Sequence, residues 1–196
     1  MSYTILGKNA MLNALGALNT HIGLLTKTAI TGVTGTASSD LLNKSSHGLS
    51  NGDMVVLSLL GGGEGTGLFN GVPYFVVGVS GADFQLAETP GGAAINFSTN
   101  IVDCTVTKYV ELSGGSPAYA RKAIAYNAAA VGSMDDSTNG AVFDVPAAGV
   151  VDAVGFYSAS SAGTCYSIDD VTQETFGSQG TYTVTDADLD LNGDRV

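Results

Sequence analysis

The sequence predicts a mainly β protein: an antiparallel β-sandwich or jelly-roll-like core domain with one N-terminal helix, together with a small β-barrel or sandwich module. Three observations predict it. Glycine supplies 27 of 196 residues, while Lys and Glu, which build exposed helices, are scarce. From about Ala29 onward, short β-branched runs alternate with residues that tolerate φ > 0 or preset a turn. Apolar residues make up 44% of the chain, which argues for a packed core, because disordered chains are polar and highly charged. The length suits one domain or two small ones.

Asn9 to Thr26 carries no charge, which raises the question of a membrane span. Asn9, Asn13, Asn19, Thr20 and His21 interrupt it, and no continuous apolar run of signal-peptide length follows Lys8. Neither membrane insertion nor export is expected. Met11, Ala14, Leu15 and Leu18 fall at i, i+3, i+4 and i+7 and share one helical face, with Asn9, Asn13 and Gly16 opposite. The segment reads as a helix of about three turns capping a core, and His21 to Thr26 reads as a first strand.

Over 29–107 the strand candidates are Met54–Leu60, Tyr74–Val79, Phe84–Ala87, Ala94–Phe97 and Asp103–Val110. Asn51-Gly52, Gly61-Gly62-Gly63, Pro73, Gly81 and Pro90-Gly91-Gly92 punctuate them, and Ser80 to Asp83 closes a hairpin. A second series follows: Tyr109–Leu112, Tyr119–Tyr126, Ala141–Val145, Val150–Ser158, Thr164–Ile168 and Thr181–Thr185, the last reaching toward Leu191. In Val150–Ser158, strict alternation puts Val150, Val154 and Phe156 on one face, with Asp152 the polar exception. Such a series with regular turns points to a sandwich or jelly roll.

Charge is scarce and lopsided. The net charge is −11, from 18 acids and 7 bases. Residues 134–196 hold 11 acids and the single base Arg195, against 7 acids and 6 bases before them. Nucleic acid is therefore not expected as a partner, since phosphate binding needs clustered Lys and Arg.

The motifs favour structural readings. Gly48-Leu49-Ser50-Asn51-Gly52 matches the G-x-S-x-G nucleophile elbow, but an elbow needs a strand before it, a helix after it and a later His. A strand candidate follows instead, and no His lies beyond His47. Asp188-Leu189-Asp190-Leu191-Asn192-Gly193 matches the opening of an EF-hand loop. No helix is expected before it, and its closing Glu would fall beyond Val196, so an EF-hand is not expected. A looser Ca²⁺ site from Asp186, Asp188 and Asp190 stays open beside a solvated acidic strand edge. His21 and His47 lack neighbouring ligands and read as structural or surface residues. Asp135-Asp136 and Asp169-Asp170 could supply a glycosidase's two acids, but doublets in Ser- and Gly-rich loops read better as turn residues. The cluster Gly61 to Gly67 lacks phosphate-loop spacing and reads as a loop. Cys104 and Cys165 show no metal or redox spacing and read as buried thiols, although a disulfide stays open. No catalytic, cofactor-binding or metal-binding residue is assigned, and no cofactor is expected.

Ser113-Gly114-Gly115-Ser116-Pro117-Ala118-Tyr119-Ala120-Arg121-Lys122-Ala123-Ile124, then Val142 to Ala147, Val154 to Ala159 and Glu174 to Thr185, recur in an order that resembles small virion proteins of tailed bacteriophages. Many come from phages of actinobacteria and are called minor tail or tail-fibre proteins. That family also begins with a short helix and a strand like His21–Leu25. The resemblance covers about 1–28 and 108–196. Where the family has a short loop, about 80 residues intervene here. This insert resembles a module of other phage virion proteins through His47 to Asp53, Gly71 to Val77, and Phe84 to Ala87 followed by Thr89 to Gly92.

The resemblance implies a discontinuous core domain, 1–28 with 108–196, carrying an inserted module at 29–107. It also implies a non-enzymatic structural role in the virion, assembled in the host cytoplasm, with other virion proteins and further copies of itself as partners. A minor tail or tail-tip protein is the first expectation and an exterior head-decoration protein the second. A host-surface adhesin is the third, its insert binding cell-wall glycan through Phe69, Tyr74 and Phe75. A glycan hydrolase using the acidic doublets is the enzymatic alternative.

Overall fold

The computed structural model describes residues 3–58, 61, 67–138 and 140–191. The chain is mainly β with one N-terminal helix, and it forms two compact units: 1–25 with 111–196, and 26–110. Among the described residues no helix is long and apolar enough to cross a membrane.

The unit 26–110 is a closed six-stranded antiparallel barrel. Its strands are β1 (His21–Thr36, entering from the other unit), β2 (Leu41–Asn43), β3 (Met54–Ser58), β4 (Pro73–Ser80), β5 (Asp83–Ala87) and β6 (Ile101–Glu111). They follow the order β1-β2-β5-β4-β3-β6, and β6 returns to pair with β1, so no edge is left open. Alternation fills the interior: Val55 and Leu57, Tyr74 and Val76, Phe84 and Leu86, and Cys104 and Val106 meet in one core. The β4–β5 hairpin lies where the sequence puts it, with a register shift between Val77 and Ser80 and Gly78 at φ +61.

Three expectations in this unit are corrected. The first strand does not stop near Thr26 but runs to Thr36, through Gly32 at φ +67 and Gly35, whose bare Cα lies against Ile101 and Leu42. Ala94–Phe97 is not a strand; Ile95 donates a single backbone bond to the Leu86 carbonyl. Leu59 and Leu60, and residues 62–66 of the glycine cluster, lie outside the described residues.

The other unit holds α1 (Ile5–Leu18), the first turns of β1, β7 (Lys122–Ala123), β8 (Ser133–Met134), β9 (Ala141–Val145), β10 (Val150–Tyr157), β11 (Cys165–Thr175), β12 (Gly180–Val184) and β13 (Leu189–Asp190). β10 pairs with β11 and with His21–Leu25 of β1, where β7 also pairs, while β9–β12 and β8–β13 are separate two-stranded ladders. These ladders do not by themselves spell out a sandwich or a jelly roll. Tyr119–Tyr126, expected as one strand, shrinks to the two-residue β7, and 124–132 holds only isolated bridges at Tyr126 and Ala130 and a turn. The core gathers Leu12, Ile22, Leu24, Phe143, Val145, Val154 and Phe156.

The β10–β11 ladder is irregular: between Val151 and Ala153 the partner strand advances from Glu174 to Asp170, two residues more than β10 does. Val151, not Val150, joins Val154 and Phe156 in the core. Asp152 is nonetheless buried and accepts a 2.7 Å hydrogen bond from Gln173 Nε2.

α1 is set by its caps: the Thr4 hydroxyl oxygen accepts from the Gly7 N–H, and the Asn19 N–H donates to the Leu15 carbonyl. Its orientation differs from the expected one: of Met11, Ala14, Leu15 and Leu18, Leu15 alone packs on the core. Leu12, with Leu15 and Gly16, faces the core, and Asn9 and Asn13 accept hydrogen bonds of 2.8 and 2.9 Å from the N–H groups of Gly132 and Ala129. Met11, Ala14 and Leu18 are exposed. A Cβ at position 16 would lie 2.5 Å from Met134 Sδ, so glycine there allows the close approach.

Candidate functional site

The unit 1–25 with 111–196 carries an acidic groove of about 420 Å³. Val154 and Phe156 of β10 and Val171 of β11 give it apolar lining, and the run Tyr182–Asp188 forms a further wall. Asp169, Asp186 and Asp188 bring the charge. A polar recess of about 230 Å³ adjoins it through Asp186 and Asp188 and adds Asp135 and Asp136. Both members of the Asp135-Asp136 doublet, and Asp169 of the other, thus reach the same face as Asp186 and Asp188, from segments far apart in sequence.

Local bonding fixes these carboxylates. Asp136 is buried and accepts from the N–H of Thr138 at 2.7 Å, from the Thr138 hydroxyl, and from the N–H of Gly140 at 2.9 Å. It braces its own turn. Asp188 accepts from the Asp136 N–H at 2.5 Å, and its own N–H donates to Asp186 at 3.1 Å. The Asp136 N–H lowers the Asp188 pKa, but desolvation and the Asp186 and Asp135 carboxylates outweigh it, so the carboxyl titrates above its ordinary value. Burial, and then Asp136, Asp188 and Asp169, push the Tyr126 phenol up as well, and its hydroxyl has no hydrogen-bond partner among the described residues. The groove therefore combines apolar walls with a negative rim, suited to a cationic, partly apolar group such as a Lys or Arg side chain.

Asp186, Asp188 and Asp190 do not share a strand face: 185–188 is irregular, and Asp190 pairs with Ser133 in β13 and lines neither recess. Among the described residues no group of three or more His, Cys, Asp or Glu is placed to hold a metal ion. Asn192 and Gly193 lie outside the described residues.

The remaining sequence candidates have structural partners. Ser50 opens a turn in which its N–H donates to Asp53 Oδ2 at 2.7 Å and its carbonyl accepts from the Asp53 N–H. Asp53 also pairs with Lys108 at 2.6 Å. No elbow forms, because β3 follows rather than a helix. His47 is buried beside Phe84; its Nδ1 accepts from the Leu49 N–H, and its Nε2 lies 3.2 Å from the Gly81 carbonyl, to which it donates. His21 Nδ1 lies 2.9 Å from the Thr20 hydroxyl, which itself donates to the Ser158 carbonyl. Both cysteines are free and buried, and burial pushes each thiol up to about 11, so neither is a ready nucleophile at neutral pH. Of the three rings expected to meet glycan, Tyr74 and Phe75 are buried and only Phe69, 49% exposed, is at the surface.

A second polar assembly was not visible in the sequence. Arg121 Nε and Nη2 make a bidentate pair with Glu111 at 2.7 and 2.6 Å, and Nη1 donates to the carbonyls of Ala159 and Ala162. The guanidinium lies 3.5 Å from the Tyr157 ring centroid. Tyr119 donates to Glu111 at 3.1 Å and accepts from the Leu24 N–H at 2.8 Å. Gly23 leaves the room, since a Cβ there would lie 2.8 Å from the Tyr119 oxygen. The one available signal was Arg121 itself, a planar fork donor in a chain short of bases.

Comparison with family models, with curated proteins and with solved structures returns no match to this chain.

Proposed function

We propose that the chain is a non-enzymatic structural component of a tailed-bacteriophage virion, a minor tail or tail-tip protein. The observation that carries this reading is where the resembling stretches fall. Ser113–Ile124 supplies Tyr119 and Arg121 of the polar assembly, Val142–Ala147 covers most of β9, Val154–Ala159 ends β10, and Glu174–Thr185 contains β12. Gln179 joins two of them, accepting from the Ser116 N–H at 2.8 Å and donating to the Pro117 carbonyl at 2.9 Å. The quoted residues are thus the ones that build and brace a single unit. We read that unit as a small sandwich, its β11-β10-β1 sheet facing the β9–β12 ladder across a shared core.

The acidic groove supports assembly with a basic neighbour, because an acidic rim over apolar walls matches a Lys or Arg side chain. With Phe69 as the single exposed ring of three, the glycan-binding reading has less support. Quantitative mass spectrometry of purified particles from a phage that encodes the chain provides the test. A few copies per particle are expected; hundreds would transfer the chain to the head exterior, and absence from the particle would overturn the virion reading.

A further inference from the structure

A strand at the edge of a sheet presents a row of backbone N–H and C=O groups, and proteins ordinarily blunt such edges with Lys, Pro or short length. β11 is an edge without that protection. It ends its sheet, and among the described strands only β10 lies along it. Its span, Cys165–Thr175, holds neither Lys nor Pro. Ser167 to Asp170 pair without interruption with Phe156 to Ala153, so a regular stretch of edge lies between the two irregularities of the ladder.

The charge on this edge selects what it can accept. Asp169, Asp170 and Glu174 are exposed on β11, and the strand carries no base. Asp169 opens onto the acidic groove together with Val171, two residues on, beside Asp186 and Asp188. By alternation Asp170 falls on the opposite face of the sheet. Two β11 edges laid antiparallel over this stretch would gather four aspartates within a few residues of one another, and like charges across strands repel. The charge therefore disfavours a second copy and favours a basic segment. We propose that β11 takes up an extended, basic segment of another protein as an added antiparallel strand. Backbone hydrogen bonds supply the affinity of such an addition, and alternate side chains supply the selection. Of two adjacent Lys or Arg residues, one meets Asp169 over the groove and the other meets Asp170 on the opposite face. An apolar side chain two places from the first covers Val171. The proposal rests on the reading of the groove as the seat of a basic neighbour and adds how that neighbour is held.

NMR titration of the isotope-labelled full chain with the capped peptide Thr-Val-Lys-Lys-Thr-Val tests it. Amide shifts should concentrate on alternate residues of 166–172, those whose N–H groups face outward, with cross-strand contacts between peptide and β11 Hα atoms. The same peptide N-methylated throughout keeps its charges and loses its N–H donors, and it should bind at least about tenfold more weakly. Asp169→Asn together with Asp170→Asn, both at exposed positions, should weaken the unmethylated peptide about fivefold, with an unchanged far-UV spectrum as the check on folding. A methylated peptide that binds equally, shifts confined to residues outside β11, a Thr-Val-Glu-Glu-Thr-Val peptide that binds as tightly, or pairing of β11 with β11 in the absence of peptide would each overturn strand addition. Equal binding of the two Lys peptides would still leave the groove its basic guest, whereas failure of both to bind would remove that reading as well.

Discussion

Arg121 ties together several segments of the discontinuous unit. Its side chain is nearly buried, paired to Glu111 through two nitrogens and to two loop carbonyls through the third, with Tyr157 beneath it. Removing Arg121 strands a Glu111 carboxylate that is only partly exposed, at a cost of about 2 kcal/mol. Arg121→Ala should therefore lower stability by that order in denaturant unfolding. Arg121→Lys should recover only part of the loss, because an ammonium cannot reproduce the bidentate fork. Asp188 behaves in the opposite sense. Its carboxyl titrates above the ordinary 3.8 in the folded chain, so folding is favoured while it is protonated, and that advantage is lost as the pH rises through the folded value. Asp188→Asn keeps an oxygen to accept the Asp136 N–H without the charge. It should melt higher than wild type at pH 7, and the difference should vanish below about pH 3.8, as thermal scans across pH will show.

At the scale of elements, α1 is held by hydrogen bonds that its sequence disguises. Asn9 and Asn13 read as a polar outer face, yet they accept from the backbone N–H groups of Gly132 and Ala129. Asn9→Ala and Asn13→Ala should each cost about 1 kcal/mol and accelerate amide exchange at Gly132 and Ala129 respectively, while the α1 amides keep their protection. The helix was legible as an element because Ala, Leu and Met dominate it, but its rotation was not. Apolar residues occur on all sides, so periodicity could not choose which stripe meets the core. Strands were legible where turn residues bound them closely: β9 lies at Ala141–Val145 as expected, between Gly140 at φ +86 and Pro146. They were illegible where glycine serves curvature instead of a turn, as in β1, and where irregular pairing interrupts a ladder, as between β10 and β11. The acidic groove was half legible. The aspartates stood out by composition, but their meeting with Val154, Phe156 and Val171 depends on pairings that no local pattern encodes.

For the whole molecule, the consequential fact is that the barrel closes within its own segment. Every pairing that shapes it, from β1–β2 through β3–β6 to the return of β6 onto β1, is made by residues lying between 26 and 110 or at their immediate borders. Its core, with Phe84, Val76, Leu57 and Val106 fully buried, draws among the described residues only on that range. The segment also begins and ends in β1 and β6, which pair with each other, so the ends of an excised piece would already be neighbours. At this size a single core is marginal but sufficient. Residues 26–110 expressed alone should therefore fold, giving dispersed amide resonances and a cooperative thermal transition. Phe84→Ala in that segment should lower its stability by about 3–5 kcal/mol. A segment that shows neither dispersion nor a transition would mean that the barrel needs the rest of the chain to close, despite holding all of its own strand pairings.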